Sequence, residues 1–213
     1  MFQITTPTIK HICCVNRGVQ DYELDNVLTI LRQENTVLTT LNLCLNSITC
    51  NGAYDISKAL LNNTVLTSLL LRGNNINDTG AMAIANMLLH NTSLKNLDLG
   101  DNHIYSNGVL LICKSLLTNT TLTNLELDGN DINSECILEI AKILQRNTSL
   151  LYISVNNSMN NVLFPLLKRN KNYNKCHSNR DTFIEHSKLP NELNVLVNKY
   201  VLEMCYWHSM VYH

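Results

Sequence analysis

Leucine and isoleucine recur along this chain in a fixed phase. From the origins Leu38, Leu66, Leu94, Leu122 and Leu150, an apolar residue stands three positions on, at Leu41, Leu69, Leu97, Leu125 and Ile153. Another stands two further, at Leu43, Leu71, Leu99, Leu127 and Val155. This alternation has period two and predicts a short strand with one buried face. Asn46, Asn74, Asn102 and Asn130 follow, where a side-chain amide can satisfy backbone groups stranded as the chain leaves the sheet. Ile48, Ile76, Ile104 and Ile132 then plug the turn. Thr36, Thr64, Thr92, Thr120 and Thr148 mark the same period, 28 residues apart. A constant period of this length predicts a stacked-repeat array.

The second half of each unit changes period. Gly52, Gly80, Gly108 and Cys136 open it. Ala53, Ala81, Val109 and Ile137, then Ile56, Ile84, Ile112 and Ile140, then Leu60, Leu88, Leu116 and Leu144 give an i, i+3, i+7 stripe. That stripe predicts an amphipathic helix. The template extends backwards by 29 residues to Ile9, Ile12, Cys14 and Val19, with Leu24, Val27 and Leu31 on helix positions and Arg17 in place of the asparagine. Forwards it gives a sixth strand, after which Ser158 and Asn160 break the pattern. The expected organisation is therefore a repeat domain over 1–160, with units starting near 9, 38, 66, 94, 122 and 150. A short helix and an Asn/Lys-rich linker of low order over 161–187 come next, then an apolar helical segment over 188–213.

The string LxxLxLxxNxI, followed by glycine and an amphipathic helix, resembles the ribonuclease-inhibitor-like leucine-rich repeats over roughly residues 9–160. The resemblance implies an α/β fold, a right-handed solenoid or horseshoe with a parallel sheet on the concave face and helices on the convex face. Proteins of this kind inhibit enzymes, sense ligands, cap actin filaments or stimulate a small GTPase, in each case by presenting a surface.

Composition narrows the picture. A formal charge of −1 over 213 residues gives no global field toward nucleic acid or an anionic membrane. The 32 asparagines reflect the repeat and the tract behind it rather than general disorder. Eight cysteines without a Cys-x-x-Cys pair fit small-hydrophobe use in a reducing compartment. Residues 1–10 lack a charged and then apolar leader, and no run of about 18 apolar residues appears, so a cytoplasmic location is expected. The sequons at Asn62, Asn91, Asn119 and Asn147 are by-products of the repeat junction.

Residues between the strand leucines point onto the concave sheet. Because neighbouring strands lie about 4.8 Å apart, Asp98, Glu126 and Asp128 should cluster, with Asp101 at the strand edge. Arg72 and Leu70 stand beside them, and Asn42 and Tyr152 complete the candidate partner-binding face. The expected partner is a protein, through a basic segment. No catalytic nucleophile–base set, metal site or cofactor motif is apparent, so a non-enzymatic binding module is expected.

Leu189-Pro190-Asn191-Glu192-Leu193, followed by Leu196, is similar to the start of an F-box. That resemblance implies an adaptor or effector recruiting a ubiquitin ligase through Leu189, Pro190, Glu192, Leu193 and Leu196, acting in a host cytosol if an effector. The alternative is a helical cap over the open end of the array, with Pro190 and Glu192 as ordinary helix-start residues. A GTPase activator is the third reading.

Overall fold

The computed structural model describes residues 9–33, 36–155, 163 and 166–171. The expectations placed on 172–213, including the F-box-like stretch, lie outside these residues.

Among residues 9–155, six strands alternate with five α-helices: β1 (His11–Cys13), α1 (Asp25–Arg32), β2 (Thr40–Asn42), α2 (Cys50–Leu60), β3 (Ser68–Leu70), α3 (Asp78–Leu88), β4 (Asn96–Asp98), α4 (Ser106–Ser115), β5 (Asn124–Glu126), α5 (Ser134–Leu144) and β6 (Tyr152–Ser154). The strands form one parallel sheet in sequence order. Each pairs with the next in the register of the repeat, so Leu41, Leu69, Leu97, Leu125 and Ile153 stand in one row. The architecture is the α/β leucine-rich-repeat solenoid. Strands are spaced at about 4.8 Å, whereas packed helices need 8–10 Å, so the array bends with its sheet on the inside.

The core lies between sheet and helices. The strand leucines, the turn isoleucines and the helix stripe Ile56, Ile84, Ile112 and Ile140 are all buried. The asparagine ladder closes the turn. Asn102 donates from Nδ2 to the carbonyls of Leu71, Leu99 and Gly100 at 3.0–3.1 Å, and its Oδ1 accepts from the Ile76 N–H at 3.0 Å. Asn74 and Asn130 bond in the same way one unit earlier and one unit later. A second ladder runs through the junctions. Asn91, Asn119 and Asn147 each donate to carbonyls of the unit before, and each Oδ1 caps the backbone entering its own strand.

Ile9, placed by the template on a core position, is instead 49% exposed. Within the stretch expected to hold a short helix and linker, residues 166–171 are helical. There Asn170 is fully buried and donates to the carbonyls of Asn147 and Leu150 at 3.0 and 2.8 Å. Arg169 beside it donates to the carbonyls of Leu144, Gln145 and Asn147. Leu163 and Leu167 join the core.

One backbone feature was not anticipated. Seven residues after each origin the chain turns through positive φ, at Asn16, Leu45, Gly73, Asp101 and Gly129. Glycine, asparagine and aspartate tolerate this region; a leucine pays for it in steric clash between Cβ and the carbonyl.

Candidate functional site

Each strand presents the residues flanking its central leucine to the open side of the sheet. On β4 and β5 the parallel register sets Asp98 beside Glu126, and β6 adds Ser154. The chain leaving β3 carries Arg72, whose side chain crosses toward these carboxylates. Its Nε lies 3.2 Å from Asp98 Oδ2, its Nη1 2.5 Å from Asp101 Oδ2, and its Nη2 2.7 Å from Asp128 Oδ1 and 3.1 Å from Glu126 Oε2. Nη1 also donates to Asp128 Oδ2 at 3.0 Å, so that carboxylate takes the guanidinium with both oxygens. Such two-pronged pairing is the strongest geometry open to arginine.

The glycine at residue 100 makes this possible. A side chain there would overlap Nη2 and Cζ of Arg72, so the guanidinium uses the gap left in the row. The Ser154 hydroxyl donates to Asp128 Oδ1 at 2.5 Å and holds it from the other side. The Arg72 hydrogen bond, reinforced by Ser154 and by the positive charge, pulls the Asp128 carboxyl below its ordinary range against the opposing effect of burial. Arg72 is driven the other way, chiefly by its hydrogen bond to Asp128, and stays charged throughout.

The expected cluster therefore forms, with Arg72 at its centre rather than at its side. Four carboxylates around one guanidinium leave a formal excess of three negative charges. Asp101, Glu126 and Asp128 keep much of their surface open to solvent, with side chains 58, 41 and 36% exposed. Asp98 is nearly buried and accepts from the Gly100 N–H at 2.9 Å, serving its own turn. Asn42 makes the equivalent bond to the Cys44 N–H. Leu70 is half-buried on β3, and Tyr152 is exposed on β6 beside Asn124. Among the described residues, no group of three or more His, Cys, Asp or Glu side chains could hold a metal ion. No helix among them is long and apolar enough to cross a membrane.

Three contributors escaped the sequence reading: Gly100, Ser154 and Leu45. The first two stood in the right rows, but only the reach of Arg72 across two strands gives them a task. Leu45 was visible as an apolar residue in a row otherwise made of asparagine, glycine and aspartate.

A parallel sheet in sequence order, backed by one helix per 28-residue unit, defines a leucine-rich-repeat fold. The chain belongs to the tropomodulin/leiomodin leucine-rich domain family, whose model (TMOD/LMOD Leucine-rich domain) matches residues 22–163. Among solved structures it is similar to leiomodin-1 actin-binding site 2, at 29% identity and a TM-score of 0.70, covering 75% of this chain and 95% of that one. It is also similar in fold to the tropomodulin C-terminal domain of Caenorhabditis elegans, at 16% identity and a TM-score of 0.63, covering 76% and 99%. No curated protein sequence matches the chain.

Proposed function

We propose that this chain is a non-enzymatic actin-binding module whose sheet face receives the partner through Asp101, Glu126 and Asp128. The observation that carries the binding face is the excess of three negative charges gathered there on a chain of net charge −1. Actin as the partner is supported by the similarity to leiomodin-1 actin-binding site 2 over 75% of the chain. The 28-residue strand–helix unit keeps the ribonuclease-inhibitor-like repeat type within this reading. Opposed charge speeds encounter and fixes register more than it adds affinity, so binding should weaken steeply with salt.

The test is co-sedimentation with filaments and a pull-down with monomeric actin, using the full chain and an Asp101→Lys, Glu126→Lys, Asp128→Lys variant. Capture by the parent and loss in the folded variant is the expected result. A parent that captures neither form of actin removes the partner assignment. Equal capture by the variant removes the face.

The alternative of a ubiquitin-ligase adaptor rests on the Leu189, Pro190, Glu192, Leu193 and Leu196 pattern alone. Capture of a ligase adaptor by the full chain, lost on deleting residues 188–213, is the result that would favour it.

A further inference from the structure

The sheet face is not uniform along the array. Its acidic residues belong to the fourth and fifth units, while the second and third offer Cys44, Leu45 and Leu70 with Val15 beside them. Leu45 stands out on two counts. It is 54% exposed, and its backbone sits at φ 57°, where the matching residues of other units are Asn16, Gly73, Asp101 and Gly129. Its Cδ2 leans over Gly73, which has no side chain to oppose it. An aliphatic side chain is thus held out at the rim next to Arg72 in a conformation unfavourable to leucine.

We propose that this face takes an extended protein segment carrying an aliphatic or aromatic side chain and, three or four residues along, a lysine or arginine. The apolar group seats against Leu45 and Leu70, and the basic group reaches Asp101, Glu126 and Asp128. The inference rests on the sheet face being the binding surface and adds what the bound segment must look like. The spacing follows from the fold. From β2 to β4 or β5 is two or three strand intervals, about 10–14 Å, which an extended chain covers in three or four residues at about 3.3 Å each. The chemistry follows from complementarity. Cys13, Val15, Asn42, Cys44, Leu45 and Leu70 include no charged side chain, whereas the far end carries three negative charges in excess. An apolar residue alone would leave the acids uncompensated, and a basic residue alone would leave Leu45 wet.

Selection of a displayed library of random 12-residue peptides on the full chain tests this. The expected pool is enriched in an apolar residue followed or preceded at three or four positions by Lys or Arg. On Leu45→Asn the pool should lose the apolar preference and keep the basic one; on Glu126→Gln, Asp101→Asn the reverse should hold. A peptide carrying the pair should bind Leu45→Asn about tenfold more weakly than the parent. Asparagine suits positive φ, so this variant should melt no lower than the parent, and Leu45→Gly serves as a second variant of the same kind. Failure to enrich any peptide over an unrelated control overturns the inference. So does a pool lacking the pair, or selected peptides that bind parent and both variants equally. Enrichment of the pair without actin capture would discard actin while leaving the segment rule; actin capture with no such pair would do the opposite.

Discussion

The guanidinium of Arg72 fills the space that a side chain at residue 100 would occupy. The carboxylate cluster thus depends on an absence at the matching position one strand away from the arginine. Gly100→Ala should expel Arg72 from its seat and separate it from Asp98 and Asp128. Because the cluster is partly solvated, the expected loss is modest, about 1–2 kcal/mol, and visible as a fall of a few degrees in Tm. The loss should also be shared with Arg72→Ala, so that the double variant melts close to Arg72→Ala alone. Fully additive losses in such a cycle would mean that the two residues act independently.

Acid should loosen the same cluster in a defined direction. The Asp128 carboxyl is held below its ordinary range, chiefly by the Arg72 hydrogen bond. A carboxylate of that kind stabilises the fold at pH values above its unfolded pKa. That contribution is lost as pH falls through the lowered folded value, below about pH 4. Arg72 does not titrate in this window. Melting curves between pH 6 and pH 2 should therefore fall more steeply for the parent than for Asp128→Asn. Parallel curves would show that Asp128 gains nothing from its partners in the fold.

Asn102 presents a harder constraint, since its side chain is buried and fully engaged. Asn102→Ala orphans the buried Ile76 N–H and takes one of two amide donors from the carbonyls of Leu71 and Leu99, which keep Asn74 and Asn130. An orphaned buried group costs about 1–3 kcal/mol and each further lost hydrogen bond about 0.5–1.5 kcal/mol, so a total near 3 kcal/mol is expected after partial relaxation. Asn102→Asp keeps the acceptor for Ile76 and forfeits the donors, and should cost no less, because it buries a charge facing carbonyls. Urea denaturation of the three proteins measures both. An Ala variant within about 0.5 kcal/mol of the parent would contradict the ladder.

The array was legible in the sequence because its physics is local and repeated. The Leu41, Leu69, Leu97 row needs period two, the Ile56, Ile84, Ile112 row needs helical spacing, and five copies in phase fix the register of a six-stranded parallel sheet. The clustering of Asp98, Glu126 and Asp128 followed from that register alone. What the register does not contain is the path of a long side chain. Arg72 was placed beside the acids, yet its reach brings it among them, into a gap that only Gly100 leaves. Leu45 was visible as the apolar residue of its row, but not the positive φ that the turn imposes there as at Asn16, Gly73, Asp101 and Gly129. The end of the array was hidden by composition: Lys168, Arg169, Asn170 and Lys171 look like linker, and the use of Asn170 appears only against the carbonyls it faces.

Asn170 continues the junction ladder without belonging to a repeat. Asn91, Asn119 and Asn147 each reach back to the unit before, and Asn170 does the same to the junction before β6, donating to the carbonyls of Asn147 and Leu150. An open solenoid end leaves such carbonyls and its apolar core exposed, and a terminal cover must answer both. Here Leu163 and Leu167 meet the core while Arg169 and Asn170 meet the backbone. Asn170→Ala should therefore cost about 1–2 kcal/mol, less than Asn102→Ala, because Arg169 still donates to the Asn147 carbonyl. Adding Arg169→Ala should cost more than the two single changes suggest, since the second substitution removes the remaining donor. The location of the damage is the sharper readout. Amide exchange should accelerate in β6 and the preceding junction while β3 and β4 keep their protection, because each unit of a solenoid leans mainly on its neighbours. Uniform acceleration across the sheet, or none at β6, would show that residues 166–171 do not act as the terminal cover.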